Sequence, residues 1–140
     1  MSGFWRNWLN LWCWAVVLFG AILAAGGFAA TSSPASFLLG VMGGIGAPAM
    51  EPPLRFAVGL MGALTMALGL LVLVTADAAR RLGAEGGPIW RRLTGSLVAW
   101  FLVDSTISIA TGFWLNAVSN VIIMVLCLLP LWRGGVLRRA

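Results

Sequence analysis

Four apolar runs decide what this chain can fold into: Leu11 to Ala30, Leu54 to Ala76, Leu93 to Gly112 and Leu115 to Trp132. Each is near the ~20 residues that a helix needs to cross ~30 Å of hydrocarbon. In lipid only helices and closed barrels satisfy their backbone, and these runs lack the period-two alternation of barrel strands. The fold class expected is therefore an all-α membrane protein, a four-transmembrane-helix bundle of up-down topology forming a single domain over residues 1–140. Composition agrees. Charged residues make up 9% of the 140 and apolar ones 61%, whereas a soluble domain is about 25% charged.

Orientation follows from arginine, which supplies all the positive charge. With four spans and a cytoplasmic N-terminus, Arg6, Arg80, Arg81, Arg91, Arg92, Arg133, Arg138 and Arg139 lie inside and Arg55 alone lies outside. The positive-inside rule then selects N-in and C-in. The stretch 36–50, "SFLLGVMGGIGAPAM", is apolar but short and broken by glycines and Pro48. Counting it as a fifth span would place most of the arginines outside. Residues 31–53 are instead expected to form an outer loop, with room for a short helix at the interface or dipping back, and residues 77–92 an inner loop. Trp5, Trp8, Trp12 and Trp14 crowd the start of the first span, and Trp90 and Trp132 mark the inner ends of the third and fourth. They are expected to be a headgroup belt, an aromatic ligand box being the rarer alternative. The n-region holds a single Arg and the first run is too long for a usual signal peptide, so it reads as a retained anchor.

Small-residue pairs at i, i+4 suggest close helix packing: Gly20–Ala24 and Ala21–Ala25 in span one, Gly59–Ala63 in span two, Gly95–Ala99 in span three. They leave a homodimer face open.

The functional lead is Asp104. It shares a helix face with Ser108 and Thr111, while Asn116, Ser119 and Asn120 share one on span four with Ile123 and Cys127. The short link around Phe113 and Trp114 makes the last two spans antiparallel neighbours. It sets Ser108 level with Ser119 and Asn120, and Thr111 with Asn116. Asp104 then lies roughly 18 Å from Arg92 along the helix and roughly 12 Å from the outer end. An Asp at that depth costs about 2.5–3.5 kcal/mol on an insertion scale. Two readings are open. A neutral or hydrogen-bonded Asp104 fixes the hairpin register with Ser108 and Asn120, or the polar strip is a ligand pocket or a proton or ion step. Glu51 and Arg55, at i, i+4 spacing on the outer end of span two, are expected to form an exposed pair. The inner stretch "DAARRLGAEGGPIWRR" is expected to anchor to anionic lipid.

Other chemistry is not indicated. The chain has no His, Cys13 and Cys127 stand alone in apolar runs and read as small buried residues, and no carboxylate pair, P-loop or metal-ligand spacing appears. "GIGAPA" (Gly44 to Ala49) lacks the strand that a dinucleotide site requires. No catalytic residues, cofactor, metal or nucleic-acid partner are therefore expected. The expected partners are membrane lipids, a second copy of the chain or other membrane proteins. Two readings of function follow: a non-enzymatic accessory or scaffold component, or a small transporter or proton- or ion-coupled carrier working through Asp104.

The stretches "RFAVGLMGALTMALGL" and "WFLVDSTISIATGFWLNAVSNVIIMVLCLLPL" resemble small four-span bacterial integral membrane proteins with no assigned activity. The residues that carry the likeness are Arg55, Gly59, Trp100, Asp104, Ser108, Gly112, Asn116 and Asn120, within roughly the last ninety residues. The resemblance implies a fold and a bacterial inner-membrane location.

Overall fold

The structure, a computed structural model, describes residues 1–137. Arg138 and Arg139, used in the orientation argument above, lie outside the described residues. Five helices follow in order: α1 (Gly3–Ala25), α2 (Ser33–Gly43), α3 (Pro52–Arg81), α4 (Gly87–Ala110) and α5 (Trp114–Arg133). No strand forms among the described residues. Four of the helices are long and apolar enough to cross a membrane, and α2 is the shorter one.

The helices overrun the expected spans at the terminus-bearing end, while at the other end α1 stops at Ala25, short of Ala30, and α4 at Ala110, short of Gly112. The first begins at Gly3, so the tryptophan-rich segment is already helical. Most of residues 77–92 is helix too: α3 runs to Arg81, Gly83–Gly86 make one 3-10 turn, and α4 starts at Gly87 with Pro88 in its first turn. Proline suits that position, where its missing N–H would be unpaired anyway. The apolar run alone does not mark these ends, because polar residues extend a helix once its core turns are fixed.

The helices α1 and α3 lie antiparallel along a seam of small residues. A Cβ added at Gly20 would stand 2.5 Å from the Met66 backbone nitrogen, and one at Gly62 would stand 2.6 Å from the Gly20 carbonyl. Further along, Gly27 faces Gly59, and Gly69 faces Cys13 and Val17. Lipid offers no hydrophobic drive between helices, so close backbone approach supplies dispersion contact instead. Gly20 and Gly59 belong to this seam as their spacing suggested. Gly95 does not, since a Cβ there would meet open space, and Ala63 is exposed. The partners that the i, i+4 pattern missed are Gly62 and Gly69, a heptad apart on the α3 face turned to α1.

The main core lies toward the end that carries the termini. Leu9, Trp12 and Cys13 of α1 meet Val72, Ala76 and Ala79 of α3, Trp90 and Leu97 of α4, and Met124, Cys127 and Leu131 of α5. A smaller cluster of Leu23, Ala35 and Val58 tucks α2 against the other ends of α1 and α3. There the Ser36 hydroxyl donates to the Pro48 carbonyl at 2.6 Å, holding the returning segment against α2.

Two of the tryptophans expected in the headgroup belt are core residues instead. Trp12 and Trp90 are buried in the core. Trp8 and Trp12 send their indole N–H groups into α5, to the carbonyls of Leu126 and Ile123, both at 3.0 Å. The first of these bonds has a specific cause. Pro130 lies inside α5 and has no N–H for the carbonyl four residues back, which is Leu126. Trp8 supplies the missing donor. Trp14 and Trp132 do face outward, and Arg133 stacks over Trp132 with its guanidinium 5.4 Å from the ring centre.

Candidate functional site

The α4–α5 hairpin is built by its turn. At the end of α4 the Gly112 N–H bonds to the Ile109 carbonyl and the Phe113 N–H to the Ser108 carbonyl. That pair of bonds needs a left-handed residue, which Gly112 provides at φ 84°. Trp114 then opens α5.

This turn sets the register and gathers the polar residues. Asn116 Nδ2 donates to Ser108 Oγ at 2.8 Å and to Asp104 Oδ1 at 3.2 Å. Ser108 Oγ in turn donates to the Asp104 carbonyl at 2.7 Å, with Asp104 Oδ1 at 3.3 Å. One turn deeper, Asn120 Nδ2 reaches Ser105 Oγ at 3.4 Å. Ser108 and Asn120 are buried, at 4% and 3% exposure, while Asp104, Ser105 and Asn116 are half-buried. Asp104, Ser108 and Asn116 thus form one bonded cluster across the hairpin.

The register differs from the expected one. Ser108 pairs with Asn116 rather than with Ser119 or Asn120, because the hairpin closes on Gly112 and Trp114 belongs to α5. The other two expected members turn back onto their own helices: Thr111 Oγ1 donates to the Ile107 carbonyl at 2.8 Å and Ser119 Oγ to the Leu115 carbonyl at 3.0 Å. Ser105, which the i, i+4, i+7 face of Asp104 passed over, is the residue that meets Asn120. Its proximity to Asp104 in sequence was the available signal.

At the other candidate, Arg55 donates to the Met50 carbonyl at 2.7 Å. It forms no ion pair with Glu51; the bridge formed among the described residues joins Arg81 and Asp77 at 2.9 Å. Pro52 and Pro53 open α3 directly after Glu51 and fix the local backbone, leaving the Arg55 side chain to cover the preceding carbonyl.

On its other side Asp104 borders an open cleft of about 500 Å³ between α3 and α4, walled by Met61, Ala99, Trp100, Val103 and Ile107. Among the described residues Asp104 is the only ionisable group in that wall. Its Oδ1 accepts the hairpin bonds, and Oδ2 accepts none from the described residues. The cleft exists because α4 packs sparsely: 11% of its most apolar stretch is buried, against 22% to 33% in the other three long helices. A lone acid with amide and hydroxyl neighbours can accept hydrogen bonds or hold a proton, but it lacks the second group that general acid–base work would use. Among the described residues no three His, Cys, Asp or Glu side chains come together as a metal site. Cys13 and Cys127 are free and buried.

Comparison with known protein families, with curated proteins and with solved structures finds no match to this chain.

Proposed function

We propose that the chain is a bacterial inner-membrane protein, N-in and C-in, that serves as a non-enzymatic accessory or scaffold component for other membrane proteins. Orientation is supported by the arginines. Arg6, Arg80, Arg81, Arg91, Arg92 and Arg133 all fall near the ends or first turns of helices at the terminus-bearing end, and Arg55 at the opposite end.

The scaffold reading rests on one observation, the unfilled acceptor Asp104 Oδ2 beside an apolar cleft on the least buried helix. In hydrocarbon an acceptor without a donor is costly, and no water is at hand to supply one. A transmembrane helix from a partner, bringing small or apolar side chains and one hydroxyl or amide donor, would fill both needs. A second reading is kept by the same residue: intramembrane acids commonly mark ion or proton paths.

The test is gentle solubilisation followed by mass spectrometry of co-purifying proteins. Ala99→Trp fills the cleft without touching the hairpin bonds, so it should release the partner while the chain stays folded and abundant. Retention of the same partners by that variant refutes the docking site. Reconstituted vesicles test the alternative. A proton or ion flux that disappears in a folded Asp104→Asn variant would replace the scaffold reading with a carrier.

A further inference from the structure

The terminus-bearing end of the bundle holds a second feature, unrelated to Asp104. Between the start of α1, the end of α3, the start of α4 and the segment after α5 lies a cavity of about 410 Å³. Two arginines line it, Arg6 and Arg80, together with Trp90 and the bare backbone of Gly83, Gly87 and Gly134.

Its polar groups are donors in search of an acceptor. Arg80 is tied by one edge, Nη2 donating to Asn10 Oδ1 at 3.0 Å. Asn10 stands one turn after Arg6 on α1, so the same helix face carries both. The Arg80 Nε–H is buried and has no acceptor. The Arg6 side chain has no hydrogen-bond or ion-pair partner among the described residues. The nearby acid on α3, Asp77, is held by Arg81 at 2.9 Å. Asp77 acts on Arg80 only at longer range, so among the described residues neither guanidinium in the cavity has a carboxylate in contact with it. The glycines add a wall that a ligand can approach closely. Gly86 matters too: a Cβ there would run into the Ala79 backbone, so only glycine lets α4 begin against α3.

We propose that this cavity binds a phosphate group, taken between Arg6 and Arg80 with the glycine backbone beneath it. Guanidinium forks match phosphate oxygens in shape and charge. The phosphate is carried either by an anionic phospholipid headgroup or by a soluble phosphate. This goes beyond general attraction of a basic loop to lipid, because it names a pocket, and it holds whether or not Asp104 recruits a partner.

The test uses the full chain, purified and delipidated in a neutral detergent. In one arm it is offered phosphatidylglycerol and phosphatidylcholine in equal amounts, and retained lipid is read by native mass spectrometry. In the other arm inorganic phosphate binding is read by equilibrium dialysis. Preferential retention of phosphatidylglycerol assigns the site to a headgroup; phosphate binding without lipid preference assigns it to a soluble anion. Arg6→Gln and Arg80→Gln should each weaken the observed binding by about tenfold or more, the loss of one charge-assisted hydrogen bond. Arg92→Gln, an exposed arginine outside the cavity, should change it less than about twofold. Arg6 is itself exposed, so its variant keeps the test valid if Arg80→Gln fails to fold. No binding in either arm overturns the proposal, and so does binding that Arg6→Gln leaves intact.

Discussion

The bond from Trp8 to α5 can be tested as a repair of a helix defect. Trp8→Phe keeps an aromatic ring in place but removes the indole N–H that reaches the Leu126 carbonyl at 3.0 Å. Since Pro130 cannot donate to that carbonyl, the variant leaves it with no partner. An acceptor stranded in this way costs about 1–3 kcal/mol in soluble proteins, and hydrogen bonds inside membranes average about 0.6 and reach about 1.7. A loss of about 1–2 kcal/mol is expected, or roughly 5- to 30-fold in the folded-to-unfolded ratio. The decisive comparison is Pro130→Ala, which restores a backbone N–H to the same carbonyl. In that background Trp8→Phe should cost under about 0.5 kcal/mol, giving a coupling of about 1 kcal/mol between residues far apart in sequence. Equilibrium unfolding in mixed micelles of dodecyl maltoside and dodecyl sulfate, followed by far-ultraviolet circular dichroism, measures all four corners of this cycle. Equal losses in the two backgrounds would refute the repair, and leave Trp8 as an ordinary packing residue.

Other parts of the structure make comparable demands. Gly62→Ala should destabilise by about 2 kcal/mol, an overpacking cost of about 3 kcal/mol reduced by about 1 from better helix propensity. Gly95→Ala, in open space, should be neutral or stabilising in the same unfolding assay. Asn116→Ala removes the bonds to Ser108 and Asp104 across the hairpin and should cost about 1–2 kcal/mol, whereas Ser119→Ala, whose hydroxyl serves only its own helix, should cost under about 0.5 kcal/mol. Cys13 and Cys127, at 0% and 1% exposure, should resist maleimide in the folded protein and both react after denaturation. Labelling of either in the folded state would contradict the packing of α1 on α5.

The coarse fold was legible because bilayer crossing is a demand on length and polarity, and both are written directly in sequence. Four helices of that kind are present. The α4–α5 pairing was legible for a similar reason, since a link of three residues permits one arrangement. Finer features depended on contacts between distant segments. Gly62 and Gly69 gain their meaning from α1, which the spacing within α3 does not mention. Trp8 and Trp12 look like belt residues on any list of indoles near a span end. Only the proline on α5 explains why one of them turns inward. At the hairpin Asp104, Ser108 and Asn116 come together, whereas Thr111 and Ser119 bond within their own helices and Ser105 was passed over; the register moved because one glycine closed the turn nearer to α4. The cavity around Arg6 and Arg80 could not be foreseen at all, because its walls come from four separate places in the chain.

The seam between α1 and α3 has a consequence for biosynthesis. The α4–α5 hairpin can pair as soon as its two halves are made, since its partners are neighbours in the chain. For α1 the situation is reversed. Its glycine face fits α3, and α3 is complete only after more than half of the protein has been synthesised. Until then the nascent first helix stands in the bilayer with its narrowest face unmatched. An insertase or chaperone that shelters that face would speed assembly of this protein more than one acting on its C-terminal half.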